Sequence, residues 1–322
     1  MTREDIISLL GDSWEQIRFL MGETLHTDVE LLRQVNENII DHSGKLLRPL
    51  VSLLTANALG TANKDSIKLS VAAEILHNAT LIHDDVADES RERRGLPTLM
   101  STLGSSSAVL VGDFWLAKAV ELIYDTECYD GVSRFFSKTL TDLAEGEMLQ
   151  LEKSMSGNTS EEDYFRIIFC KTASLFRASC LAGAVSVGAD RKLMKAAEDY
   201  GTALGIAFQI KDDILDYAGD KQLGKPVGVD LKERKITLPL LGAMKHSSRE
   251  SEIREMVRNI ASNEQYCTEV HDFVMANGGI EYASGVLDQY IRKAVSALKL
   301  YPDSKEKKAL EEIAGYNAYR QA

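Results

Sequence analysis

Apolar residues recur at helical spacing along nearly the whole chain, and the longest runs (66–86, 132–152, 162–187 and 190–217) contain no proline. Such runs can bury an apolar stripe only by packing on other helices. Proline accounts for 5 of 322 residues, about 1.6% against a usual ~5%, so little interrupts them. The pattern predicts an all-α fold. Residues 4–21 and 26–40 read as two opening helices, and 105–126 as another. GKLLRP (44–49), 89–98, 154–160 and the Gly-rich 218–235 read as turns and loops. No Pro/Ser-rich linker or shift of composition divides the chain, so one domain over 1–322 is expected.

Hydrophobic residues make up 44% and charged residues 27%, which excludes a mainly disordered chain. Acidic residues number 49 and basic residues 37, giving a net charge of −12 that disfavours nonspecific nucleic-acid binding. No stretch of about 18 uncharged apolar residues occurs, so no transmembrane helix is expected. The N-terminus carries early charges and lacks a secretory apolar region. Cys128, Cys170, Cys180 and Cys267 form no CxxC and no metal-ligand spacing. They read as buried thiols in a reducing, cytoplasmic setting.

Two helical runs end in the same acidic pattern, Asp84-Asp85-x-x-Asp88 and Asp212-Asp213-x-x-Asp216. Positions i and i+4 lie about 40° apart on a helix, so Asp84 and Asp88 share a face, as do Asp212 and Asp216. Like charges at that spacing cost a few tenths of a kcal/mol, and a helix C-terminus is already negative. A cation offsets both penalties. Oxygen-only ligands suit Mg²⁺, which takes one or two carboxylates and completes its shell with water and substrate phosphate. One such motif is as readily a solvated acidic face as a site; two, each ending a long apolar helix, favour the site.

A phosphate site also needs positive charge. Arg93 and Arg94 follow the first cluster, Lys225 and Lys235 follow the second, and Lys45, Arg48 and Lys171 lie elsewhere. Any one of them alone is ordinary surface charge, and their weight comes from the combination. His77 lies two turns before Asp84, where a carbonyl-bonded core histidine is an equal reading. Glu147 and Gln150 line a cavity or face solvent. No GxGxxG, GxxxxGK[ST], HExxH or GxSxG motif occurs, which points to phosphate handled by metal and side chains.

These residues together resemble the trans-isoprenyl diphosphate synthases, also called polyprenyl synthetases. The resemblance runs from about residue 40 to 240. It is carried by GKLLRP (44–49), LHNATLIHDDVADESRERRG (76–95), GD (112–113), GEMLQ (146–150), KTA (171–173), FQIKDDILDY (208–217), GKPVGVDL (224–231) and KITLP (235–239). It implies an isoprenoid-synthase-type bundle of long helices around a deep central cavity, usually a homodimer, with the aspartate motifs facing each other. The implied reaction is head-to-tail condensation of isopentenyl diphosphate with an allylic prenyl diphosphate through an allylic cation. Three Mg²⁺ ions with substrate bound are implied, held by Asp84, Asp88 and Asp212, with Asp85, Asp213 and Asp216 near or in the shell. By the same match Arg93, Lys171, Thr172, Gln209, Lys225 and Lys235 would contact the allylic diphosphate. Lys45, Arg48, His77 and Arg94 would hold isopentenyl diphosphate. Ser43, Val229 and Arg234 depart from residues frequent in the family, Arg234 standing where glycine is common.

In that family, bulky side chains before the first motif form the cavity floor. Here Thr80 and Ala79 are small, with Leu76 one turn further up and Ala73 and Ala72 beyond it. Each prenyl unit needs roughly one helical turn, ~5 Å. A product longer than farnesyl is therefore expected, as in a quinone side chain, although Trp115 or Phe114 could close the floor. Loose membrane association through a lipid product follows. A short-chain farnesyl or geranylgeranyl synthase is the alternative. A class I terpene cyclase, which commonly carries a different second motif, a noncatalytic synthase subunit and a plain helical scaffold rank lower.

Overall fold

The structure is a computed structural model describing residues 1–93, 95–219, 228–263 and 265–319. The fold is all-α. Among the described residues the only strands are Glu92–Arg93 and Leu96–Pro97, a short antiparallel pair within the expected loop 89–98. The helices Lys64–Ala87, Ser105–Tyr124, Tyr129–Ser156 and Arg191–Ala218 lie close to the expected runs. Asn63 starts the first of these. Its side chain accepts from Ser66 N at 3.0 Å, and its own N–H donates to Ser66 Oγ at 3.1 Å, the reciprocal pairing of a capping box.

Four stretches differ from expectation. The turn expected over 44–49 stops at Leu46, and Leu47, Arg48 and Pro49 already belong to the helix Leu47–Leu59. The run 4–21 is two helices, Arg3–Ser8 and Asp12–Thr24, parted where Gly11 takes φ +48°. The second opening helix is Glu30–Asp41. The run 162–187 is helical throughout as Glu161–Ser186, but Phe169–Ala173 widens to a π turn. This helix is long and apolar enough to cross a membrane, against the expectation that none would be. However, 72% of its apolar window is buried inside the protein, as in a core helix.

The chain forms two compact units. The first comprises Met1–Ser137, Ala178–Glu198 and Leu300–Leu310. Here Lys64–Ala87 packs along Ser105–Tyr124 and against Leu47–Leu59. Its residues Leu69, Ile75 and Leu76 are fully buried with Leu53, Leu54 and Trp115. A buried indole N–H needs an acceptor. Trp115 Nε1 finds it in Asn36 Oδ1 at 2.8 Å, and Asn36 Nδ2 donates in turn to Leu25 O. The second unit comprises Lys138–Arg177, Asp199–Lys299 and Glu311–Ala322. Its core gathers Ile206, Ile210 and Ile214 of Arg191–Ala218 with Leu231, Leu238, Val257 and Val270.

Of the four cysteines, Cys170 and Cys180 are buried as expected, whereas Cys128 and Cys267 are half-buried; all four are free thiols.

Candidate active site

In the first unit the acidic motif closes the Lys64–Ala87 helix, with Asp84 and Asp85 in its last turn and Asp88 as its C-cap. Asp84 is half-buried and Asp88 exposed, so both reach solvent. Asp85 is buried, and Arg93 Nε donates to its Oδ1 at 2.7 Å. Burial pushes the Asp85 carboxyl up, and the Arg93 guanidinium opposes that rise. Arg93, nominated for diphosphate, thus sits on a motif aspartate through the small hairpin.

The same unit holds the nominees for isopentenyl diphosphate. Lys45 precedes the Leu47–Leu59 helix and Arg48 lies in its first turn. Between them Leu46 is buried yet has φ +49°, a left-handed conformation that costs a branched side chain about 1–2 kcal/mol. His77 is half-buried on Lys64–Ala87, and its carbonyl accepts from Thr80 Oγ1 at 2.8 Å. Arg94 lies outside the described residues. Of the length-determining candidates, Leu76 and Ala79 are buried and Thr80 is half-buried.

The second unit holds the second motif, in the last two turns of Arg191–Ala218. Asp212 is half-buried. Asp213 is buried between two donors, Tyr164 Oη at 2.6 Å to Oδ2 and Gln209 Nε2 at 2.9 Å to Oδ1. Gln209 Oε1 accepts from Thr172 Oγ1 at 2.8 Å. Asp216 spends both oxygens on backbone, accepting from Val229 N at 3.0 Å and Asp230 N at 3.2 Å at the start of the short helix Val229–Lys232. Burial raises the carboxyls of Asp213 and Asp216, and that of Asp230 is pushed up to about 7 by burial and the Asp216 charge.

Lys171 and Thr172 sit in the π turn Phe169–Ala173, a distortion that often marks functional sites. The turn is gripped by glycines. A Cβ on Gly205 would lie 2.5 Å from Ala173 Cα, and one on Gly146 would lie 2.6 Å from Cys170 Cβ. Only glycine lets those two helices approach so closely. Lys171 Nζ pairs with Glu147 at 2.5 Å, which gives Glu147 a role the sequence left open. Lys235 pairs with Glu233 and follows Arg234, which has φ +59°. Lys225 lies outside the described residues.

The three non-glycine residues with positive φ are Leu46, Glu89 and Arg234 among those described, and each directly follows or precedes a nominated residue: Lys45, Asp88 and Lys235. Strained backbone collects at functional sites. Tyr164, Glu147 and Asp230 are the partners that residue patterns did not assign. Tyr164 lay within an apolar run and carried no signal of its own.

Among the described residues no three His, Cys, Asp or Glu side chains converge as a ready-made metal cage. Each unit instead offers carboxylates on a single helix turn that reach solvent, Asp84 and Asp88 in the first and Asp212 in the second. Oxygen donors of this kind suit a hard cation whose shell is completed by phosphate oxygens.

A family model described as polyprenyl synthetase matches residues 29–274. The octaprenyl diphosphate synthase of Haemophilus influenzae is 38% identical, over 98% of this chain and 96% of that protein. The all-trans-nonaprenyl-diphosphate synthase (geranyl-diphosphate specific) of Rhodobacter capsulatus is 36% identical, over 96% and 95%. Among solved structures, a polyprenyl synthase from Caulobacter crescentus complexed with calcium and isoprenyl diphosphate superposes with a TM-score of 0.91. It is 36% identical, with 100% of this chain and 98% of that one covered.

Proposed function

The chain belongs to the polyprenyl synthetase family, and from that premise we propose that it elongates an allylic prenyl diphosphate by head-to-tail addition of isopentenyl diphosphate. It is a prenyltransferase. The observation that carries the reading is the pair of DDxxD motifs, each ending a long helix, in a chain similar to polyprenyl synthases over its full length.

The difficult step is heterolysis of the allylic C–O bond, which puts negative charge on departing diphosphate and positive charge on the prenyl carbon. Divalent metal, when bound, supplies Lewis-acid stabilisation of the leaving diphosphate. Asp84, Asp88 and Asp212 are the residues that would hold it. Lys171 and Lys235, each paired with a glutamate, can exchange that partner for diphosphate oxygens. Gln209 adds a neutral contact to the same group through its amide N–H, and Thr172, whose hydroxyl donates to Gln209 Oε1, holds that amide in place. Lys45, Arg48 and His77 hold isopentenyl diphosphate, whose double bond attacks the allylic carbon. The departing diphosphate takes the proton then lost, so no side-chain base is assigned. The reaction requires that water be kept from the cation, which it would quench to an alcohol.

We further propose that the metal is Mg²⁺, as three ions with substrate bound, and that the chain works as a single domain, as a homodimer, in the cytoplasm. The octaprenyl and nonaprenyl relatives, with the small Ala79 and Thr80, support a product longer than farnesyl. The test is incubation with labelled isopentenyl diphosphate, Mg²⁺ and farnesyl or geranylgeranyl diphosphate. Label in products longer than the primer is expected; no incorporation with any allylic primer sinks the reading.

A further inference from the structure

We propose that Tyr164 is a positioning residue for allylic diphosphate binding, acting through a relay of hydrogen bonds from its hydroxyl through Asp213 and Gln209 to Thr172. The inference rests on the function proposed above, since Gln209 is assigned there as a diphosphate contact and Thr172 as the residue that holds its amide.

The relay is continuous. Tyr164 Oη donates to Asp213 Oδ2 at 2.6 Å, Gln209 Nε2 donates to Asp213 Oδ1 at 2.9 Å, and Thr172 Oγ1 donates to Gln209 Oε1 at 2.8 Å. Tyr164 and Asp213 are 3% and 2% exposed, so this end is shielded from competing water. The far end, Gln209 and Thr172, is half-buried and so partly reached by solvent.

Each link fixes the next. The Asp213 carboxylate can turn about its last side-chain bond, a broad torsion. A donor on Oδ2 stops that rotation and leaves Oδ1 aimed at Gln209. With Nε2 on Asp213, the Gln209 amide has one orientation, carbonyl toward Thr172. One N–H of its NH₂ group is then used and the other remains to donate to an anionic oxygen. The Thr172 hydroxyl, its one proton committed to Gln209, fixes the far side of the amide from the π turn beside Lys171. Tyr164 itself is held by edge-on packing on Phe165, with ring centroids 5.4 Å apart.

A buried tyrosine needs some acceptor, and satisfying its hydroxyl would be role enough for an ordinary core residue. The difference lies in the far end of the chain. If Tyr164 serves only the core, its loss affects stability and both substrates alike. If it positions the amide, its loss falls on one substrate and is coupled to Thr172.

The test is steady-state kinetics on Tyr164→Phe, Thr172→Ala and the double variant, each substrate varied in turn, with thermal midpoints recorded. Tyr164→Phe keeps the ring and is expected to raise KM for the allylic diphosphate about tenfold, the scale of one lost hydrogen bond, while leaving KM for isopentenyl diphosphate within about twofold. The double variant is expected to be no worse than the worse single by more than about twofold, because the residues act as a unit. Losses that multiply, or an equal rise in both KM values, overturn the inference. Should Tyr164→Phe not fold, Asp213→Asn, which breaks the link between Tyr164 and Gln209 while leaving the Gln209 side chain in place, takes its place in the cycle with the same two outcomes. A wild-type chain that condenses nothing overturns the proposed function first and takes this inference with it.

Discussion

The imidazole of His83 fills the space a side chain on Gly112 would need: a Cβ there would stand 2.2 Å from His83 Nε2 and 2.5 Å from Cδ2. His83 Nε2 reaches Val109 O at 3.2 Å, and Asp113 lies 3.4 Å away. A methyl at position 112 must push the ring off Val109 O and Asp113, and because His83 adjoins Asp84, whatever part of that push the backbone takes up reaches a proposed metal ligand. Gly112→Ala is expected to lower turnover by about a hundredfold, the scale of a small misplacement of catalytic groups. His83→Ala in the same chain should recover part of it by vacating the space. Turnover of the single and double variants checks this; a single variant as active as the parent refutes it.

Arg234 occupies a left-handed conformation, φ +59°, that glycine adopts without cost. Arg234→Gly is therefore expected to hold stability level or raise it by about 0.5–1 kcal/mol, the relief of strain exceeding the entropy glycine loses. Leu46→Gly relieves the same kind of strain but gives up a buried side chain, and should destabilise by about 2 kcal/mol. Thermal midpoints of the two variants moving in the same downward direction would defeat the comparison.

Arg234 also shows what could be read from the sequence. Its departure from a residue type frequent in the family was visible, but the reason is a backbone angle, which no single sequence states. The carboxylate motifs were legible because i, i+4 spacing on a helix is a local rule, and the helices because burial imposes a period. The π turn was not legible. It depends on Gly146 and Gly205 admitting two other helices, and those contacts join residues far apart in sequence. Tyr164 was hidden for the same reason: its meaning lies in Asp213, 49 positions away.

Adjacent aspartates of the second motif should behave differently. Asp212 is half-buried and proposed as a metal ligand, whereas Asp213 is buried beneath Tyr164 and Gln209. Asp212→Ala is expected to abolish turnover with the thermal midpoint little changed. Asp213→Ala leaves two donors without their acceptor and should also cost about 1–3 kcal/mol of stability per buried group left unsatisfied. Midpoints measured beside turnover separate the two, and equal midpoints would contradict the assigned burial roles.

Cys180 is fully buried, and burial pushes its thiol up to about 12. The unfolded thiol ionises near ~8.5. Between those values the unfolded chain gives up a proton that the folded chain keeps. The contribution to stability is therefore complete below the unfolded value and declines as pH rises toward 12. Alkylation at pH 9 followed by peptide mass mapping should leave Cys180 unmodified in the native protein and modify it after denaturation. Native labelling of Cys180 as fast as that of half-buried Cys267 would refute its burial.

We propose that product length turns on Ala79, which is 1% exposed on Lys64–Ala87 five residues before Asp84, with Leu76 buried one turn earlier. Thr80, its neighbour, commits its hydroxyl to His77 O and adds little bulk. A phenyl ring at 79 would occupy roughly the depth of one prenyl unit, ~5 Å per helical turn. Overpacking there also costs about 1–3 kcal/mol, so the variant's midpoint must be checked before its products are read. Ala79→Phe is expected to shorten the main product while leaving the first condensation close to its parent rate, because bond formation occurs at the diphosphate end. Chromatography of labelled products gives the length directly. A folded Ala79→Phe enzyme making the parent's product would mean that the chain does not grow past this turn, and the small residues before Asp84 would then have no bearing on length.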